Sequence, residues 1–429
     1  MKVSTKIYLS ITLVVYLLVS ININFGKNKW QDVLESDAWG YYAYLPAVFI
    51  YHDLNFSFYE KVMHEGYFES RLAYEYRVGH GEQRSNKYFC GTAIMISPFF
   101  LTAHVLSDWF DAPQDGYNRM YILSVNMAAV FYTILGLYFM GKLLQLYSHN
   151  QNRIAFVLLV FAFGTQLFYY AIGEPGMSHV YSFCALTFFL WQTKLWFQKQ
   201  AVAQLMWAAF ALGLVFLIRP FNLLVLGTVP FLAGTSIVFI QGIKSALQQR
   251  RMLLSALLVF SLMAGVQSLI YYLQTGHVWI DSYPGENFDF TKPHVFESLF
   301  SFRKGLFVYT PLVLLSQLAL VFMFKENRFM AVSFLLFFFT FTYVLSCWWI
   351  WYYGGSFSLR PFIEYFALFA ILLLWLLDRV RYRLPLMTVA LLLVLLCQIQ
   401  TYQYRYFIIH WSEMNQQKYF ESLEHILKG

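Results

Sequence analysis

Gly91-Thr-Ala-Ile-Met-Ile-Ser-Pro-Phe-Phe-Leu-Thr-Ala-His-Val-Leu-Ser-Asp-Trp-Phe110 is long enough to cross a bilayer, and whether it does so sets the sidedness of everything after it. Pro98 and His104 interrupt its apolar face, and Asp108 and Asp111 bound its end. Read as an amphipathic helix lying at the interface over 92–110, it leaves the basic connections on the side of Lys2 and Lys6. Those connections carry Lys142 with Arg153, Lys194 with Lys199, Lys244 with Arg250 and Arg251, Lys325 with Arg328, and Arg379 with Arg381 and Arg383. This is the positive-inside pattern, which a crossing at 92–110 would invert, so the interfacial reading is preferred.

Around this segment the chain is a series of apolar windows, at 7–24, 119–141, 154–172, 178–197, 203–219, 221–241, 252–273, 305–323, 329–349, 362–378 and 384–402. Each can span a hydrocarbon core of roughly 30 Å, which predicts an all-α, polytopic membrane protein of about eleven transmembrane helices. One membrane domain, 1–429, is expected, with a first outer loop at 25–118 that contains amphipathic helices and a short outer tail at 403–429. Lys2 and Lys6 followed by an apolar run without an A-x-A-like site read as an uncleaved anchor with its N-terminus inside.

Composition agrees: 59% of the 429 residues are hydrophobic and 12% charged, and mean hydropathy is +0.52. The 45 Phe and 32 Tyr suit spans that pack through rings and anchor at headgroup depth. A net charge of +7 is spread over loops with no basic tail or block, so membrane lipid rather than nucleic acid explains it. Cys90, Cys184, Cys347 and Cys397 lie far apart and show neither a disulfide framework nor a zinc spacing. There is no P-loop, Gly-rich nucleotide fingerprint, HExxH or GxSxG, which leaves a soluble nucleotide sugar without a recognisable cradle.

The outer face collects the residues able to carry chemistry. Asp37, in Glu35-Ser-Asp-Ala-Trp-Gly-Tyr-Tyr-Ala-Tyr-Leu-Pro46, is a carboxylate at the membrane surface able to take a proton from an attacking hydroxyl, with Tyr41 and Tyr42 beside it; it could equally cap the helix that follows. Glu174 and His179, in Gly173-Glu-Pro-Gly-Met-Ser-His179, could contact a phosphate-bearing substrate, or join Asp37 in holding a divalent cation such as Mg or Mn. The bland alternative is a solvated turn and an interhelical hydrogen bond. Arg219, Arg303, Lys304 and Arg360 are the cations on this face; they can stabilise a phosphate leaving group, or merely snorkel to headgroups. No fixed-period repeat and no inverted pair of interrupted helices is visible, which weighs against a secondary transporter.

Three features resemble the membrane-embedded glycosyltransferases of the GT-C class, which includes protein O-mannosyltransferases, aminoarabinose transferases and oligosaccharyltransferases. They are the acid and aromatic helix after the first span (Ser36 to Pro46), the outer turn with an acid and a His (Gly173 to His179), and the later outer segments Ser301 to Pro311 and Gly354 to Arg360. The resemblance implies a polyprenyl-phosphate-linked sugar as donor, inverting displacement, Asp37 as base, Glu174 and His179 as donor-side or metal contacts, and Arg303 and Arg360 on the donor phosphate. Two family marks are missing: Asp37 lacks the adjacent Glu of the O-mannosyltransferases, and Trp348-Trp349-Ile350 lacks the acid of the oligosaccharyltransferase signature. The expected function is therefore transfer of a sugar to a glycolipid or glycan acceptor of the cell envelope, on the outer face of the inner membrane. The alternatives are a polysaccharide polymerase or ligase, and a lipid-linked-sugar flippase or transporter.

Overall fold

The computed structural model describes residues 3–64, 66–69 and 72–428, and these are mostly helical, with one two-stranded antiparallel hairpin. Among the described residues, six helices are long and apolar enough to cross a membrane: Thr5–Asn24, Arg119–Leu144, Arg250–Thr275, Arg328–Ser346, Arg360–Arg379 and Arg383–Arg405. A seventh is added if Pro220–Ala233 and Ser236–Gln248, bent by 120° at their junction, form one broken span.

The other expected windows differ for identifiable reasons. Window 203–219 becomes the 17-residue helix Val202–Ile218, and window 178–197 becomes His179–Lys199. Window 154–172 breaks after Phe163 into Gln151–Phe163 and Leu167–Ile172, and window 305–323 becomes three short helices. The two breaks meet. Gln166 donates from Nε2 to the Tyr309 carbonyl and accepts from Thr310 Oγ1, so backbone freed by one interruption is satisfied at the other. A pair of interrupted helices therefore exists that hydropathy does not display, because Gly164-Thr165-Gln166 and Thr310 are brief interruptions in otherwise apolar text.

Buried polar side chains stitch the helices together. Asn24 Nδ2 donates to Asn126 Oδ1 at 2.6 Å and to the Ile172 carbonyl at 2.7 Å, and Ser20 Oγ donates to Asn126 at 3.2 Å. Near the opposite ends of the spans, Arg153 pairs with Asp378, and Arg379 Nε pairs with Glu326 at 2.6 Å.

The described residues of 25–118 fold as a compact cap. Helix Asp37–Phe49 buries every residue from Ala38 to Ala47, and it packs on Gly91–Trp109. The latter, the segment read as interfacial, also packs on Arg119–Leu144 and Val202–Ile218. Trp39, Phe68, Tyr42, Phe58 and Tyr117 interlock edge to face, stacked or tilted, giving the cap an aromatic core of its own. In the tail, helix Gln416–Lys428 folds back on Arg383–Arg405, where Gln400 Nε2 donates to the Tyr419 hydroxyl at 2.8 Å.

Candidate active site

Asp37 is the first residue of its helix, and its position follows from a tight turn and a hairpin. Ser36 before it has φ +51°, outside the usual regions for a residue with a side chain, and its hydroxyl caps nothing. The hairpin pairs Arg77 with Asn86 and His80 with Gln83, and it brings Tyr74 and Tyr88, which flank its strands, to the same carboxylate. Tyr88 and Tyr74 donate their hydroxyls to Asp37 Oδ1 at 2.8 and 3.0 Å. Asn86 locks the hairpin to the helix by donating to the Gly40 carbonyl at 2.7 Å while accepting from the Tyr88 amide at 2.9 Å. Gly40 is required here, since a Cβ at this position would lie 2.2 Å from the Tyr88 ring.

The second arm is the turn before Arg360. Tyr353 and Ser358 have φ +57° and +60°, so left-handed backbone flanks the site on this side as well. Such residues cost about 1–3 kcal/mol each and persist where the surroundings over-determine them. The turn is held from behind: the Phe357 amide donates to the Tyr170 hydroxyl at 3.0 Å, and Lys304 Nζ donates to the Ser356 carbonyl. Arg360 Nη2 then meets Asp37 Oδ2 at 2.8 Å, with the two side chains only 12% and 18% exposed. Arg360 Nη1 has only the Met177 sulfur at 3.7 Å, and its buried Nε has no hydrogen-bond partner among the described residues. A guanidinium with donors to spare beside a cavity is suited to an anion.

Burial alone would push the Asp37 carboxyl up. The Arg360 charge, the two tyrosine hydroxyls and the Arg219 charge outweigh it and hold the group at about 2. Tyr74 and Tyr88 are pushed up, first by burial and then by Asp37, and stay neutral donors.

Asp37, Tyr41, Arg219 and Arg360 all line one cavity of about 690 Å³. Its far wall is the segment 279–288, pinned to the end of Arg328–Ser346 by hydrogen bonds from Trp349 N to the Asn287 carbonyl (3.1 Å) and from Asp289 N to the Cys347 carbonyl (2.7 Å). Tyr74, Tyr88, Lys87, Glu286, Trp348 and Trp349 complete the lining that matters below. A carboxylate, two guanidiniums and several rings around a space of this size can hold a phosphate-bearing ligand and take up a proton beside it.

The remaining expected site residues lie elsewhere. Tyr42 is fully buried and donates to the Gly116 carbonyl at 2.6 Å, as part of the cap core. His179 is 2% exposed, with Nδ1 at 3.0 Å from Glu364 Oε1. Glu364, itself 0% exposed, also accepts from Arg219 Nη1 at 3.1 Å and from Ser182 Oγ at 2.9 Å, so His179 and Glu364 hold Arg219 from behind. Arg303 donates to the Ser412 carbonyl at 2.8 Å and stacks 3.5 Å over Tyr352, facing the tail. Lys304 is 2% exposed. Glu174 accepts from the Tyr169 hydroxyl at 3.0 Å. Burial pushes Glu174 up to about 7 against the pull of Arg360, and burial brings Lys304 down to about 7 against the pull of Glu174.

The expected metal group of Asp37, Glu174 and His179 is not assembled. Among the described residues no three His, Cys, Asp or Glu side chains are placed to hold a metal ion. The reason is electrostatic: Asp37 already faces a guanidinium, and His179 is committed to Glu364. These donors do not fit a divalent cation.

Sequence reasoning missed Tyr74, Tyr88, Lys87, Glu286 and Glu364. Only Glu364 carried a signal, being a carboxylate inside the apolar window 362–378.

No family model matches the chain, and no curated protein matches it in sequence. Solved structures similar to it include two of one protein. Both are of the oligosaccharyltransferase of Archaeoglobus fulgidus, one in complex with Zn and sulfate and one in the apo form. Each aligns with a TM-score of 0.44 at 14% identity, over 97% and 93% of this chain respectively and 55% of the other. The chain thus spans about half the length of the structures it matches, and the chemistry of its cavity rests on its own residues.

Proposed function

We propose that the chain is a membrane glycosyltransferase that moves a sugar from a polyprenyl phosphate to a glycan or glycolipid acceptor at the extracytoplasmic surface, with inversion. The observation that carries the reading is a single cavity in which the Asp37 carboxylate and the Arg219 and Arg360 guanidiniums are neighbours under an aromatic wall. The acceptor hydroxyl attacks the anomeric carbon and its proton passes to Asp37, while the bond from that carbon to the donor phosphate breaks and the oxygen keeps the electron pair. Arg360 and Arg219 stabilise the charge that grows on the phosphate. In the resting protein Asp37 is a weak base because Arg360 holds it. A donor phosphate that engages the guanidinium relieves that hold, so binding of donor makes the base stronger. Exposed rings on the cavity side, Trp279 and Trp349, suit a donor delivered from lipid.

The meeting of two interrupted helices at Gln166 and Thr310 favours a second reading, a flippase for the same lipid. One pair of measurements separates them. Mass spectrometry of cells lacking the gene is expected to show an accumulated polyprenyl-phosphate sugar and an envelope glycan short of that sugar; unchanged lipids and glycans would refute both readings. Purified protein in detergent, where no leaflet divides donor from acceptor, is expected to transfer the accumulated sugar. A flippase would not.

A further inference from the structure

Lys87 and Glu286 form an ion pair in the wall of the cavity, between residues 199 apart in sequence. Their side chains are 19% and 24% exposed, so the pair is partly wet rather than sealed in a core. Lys87 lies next to Tyr88, one of the two tyrosines that donate to Asp37, which places the pair beside the reacting end of the cavity. The ammonium sits 4.9 Å over the Tyr283 ring, and Glu286 Oε2 accepts from Trp349 Nε1 at 3.4 Å. Tyr283 in turn stands edge-on to both Tyr88 and Trp348, each at 6.1 Å.

Resting on the donor reading above, we infer that Lys87, Glu286 and the Tyr283 ring seat the glycosyl unit of the donor, and that the seat takes an uncharged, hydroxylated sugar. A pyranose presents a C–H face that packs on an aromatic ring and hydroxyls that both donate and accept. An ammonium has three donors and a carboxylate about four acceptor sites, so Lys87 and Glu286 can bind hydroxyls while remaining paired. A sugar bearing its own carboxylate or ammonium would compete for one member of the pair and strand the other in a partly dry wall. The charge balance of the seat therefore selects against charged sugars, while Arg360 and Arg219 take the phosphate common to all such donors.

The test uses the full chain purified in detergent and calorimetric titration with citronellyl phosphate, its phosphodiesters with glucose, mannose and galactose, and its phosphodiester with glucuronic acid. At least one neutral-sugar phosphodiester is expected to bind about tenfold or more tightly than bare citronellyl phosphate, a gap of about 1.4 kcal/mol, and the glucuronate no more tightly than the bare phosphate. Glu286→Gln is expected to remove that increment and leave the bare phosphate unaffected. The exchanged pair Lys87→Glu with Glu286→Lys keeps a salt bridge across the wall, so a merely structural clasp would preserve the increment. Its loss supports the seat, and its retention overturns it. Equal binding of all five probes to the wild type also overturns it. Bare citronellyl phosphate that fails to bind, or that binds as well to Arg360→Met, refutes the donor reading itself and the seat with it.

Discussion

Asp37 and Arg360, 323 positions apart, are joined by a 2.8 Å ion pair whose two ends are each entered through left-handed backbone, at Ser36 on one side and at Tyr353 and Ser358 on the other. The cap and the last third of the chain are therefore tied at the point where the reaction is proposed to occur. The pair can serve a reaction because Arg360 retains unused donors, and because a phosphate can take the place of the carboxylate on it.

Arg360→Lys keeps the charge but removes the planar fork. It is expected to lower kcat/KM about 10- to 100-fold, since one strong charge-assisted contact to the leaving group is lost. Steady-state kinetics with the accumulated donor check this; an unchanged kcat/KM would show that Arg360 does not touch the phosphate.

The pH dependence of stability follows from Asp37. Its ordinary value of 3.8 falls to about 2 in the fold, so the ionised form is favoured by folding. The resulting stabilisation, roughly 2 kcal/mol, is present above pH 4 and is lost as pH drops through about 2. Thermal melts in detergent from pH 5 to pH 2 are expected to show this loss in the wild type and a shallower one in Asp37→Asn.

Glu174 behaves in the opposite sense. Its value rises from 4.5 to about 7 on folding, so its contribution is fully present below pH 4.5 and declines as pH rises through 7. Glu174→Gln is expected to raise Tm at pH 8 and leave it nearly unchanged at pH 5. Equal effects at the two values would mean that the carboxyl is not held neutral.

Gly40→Ala brings a methyl group against the Tyr88 ring, where the built contact is 2.2 Å. Overpacking of this kind costs about 1–3 kcal/mol. Because the ring that must move carries one of the two hydroxyls on Asp37, activity is expected to fall as well as Tm. A loss of stability with full turnover would place Tyr88 outside the mechanism.

The sequence made the long spans plain, because Arg119–Leu144, Arg250–Thr275 and Arg383–Arg405 each carry a long, strongly apolar run. It also singled out Asp37 and Arg360 individually, since charges in the connections between apolar windows stand out against apolar text. Their contact was not legible, because nothing local links residues 323 apart. Tyr74 and Tyr88 were hidden for a related reason: in a chain with 32 tyrosines, the two that reach Asp37 are marked only by the hairpin between them. Arg303 and Lys304 show the converse. As cations in a connection between apolar windows they read as candidate phosphate ligands, yet one faces the tail and the other braces the turn that carries Arg360.

The proposed transfer requires Asp37 to accept the acceptor's proton, and Asp37→Asn isolates that step, assayed with purified protein, the accumulated donor and its acceptor. A fall in turnover of about 100-fold or more is predicted, in protein that still elutes as a folded species and still binds citronellyl phosphate. Wild-type turnover in the same preparation would contradict it.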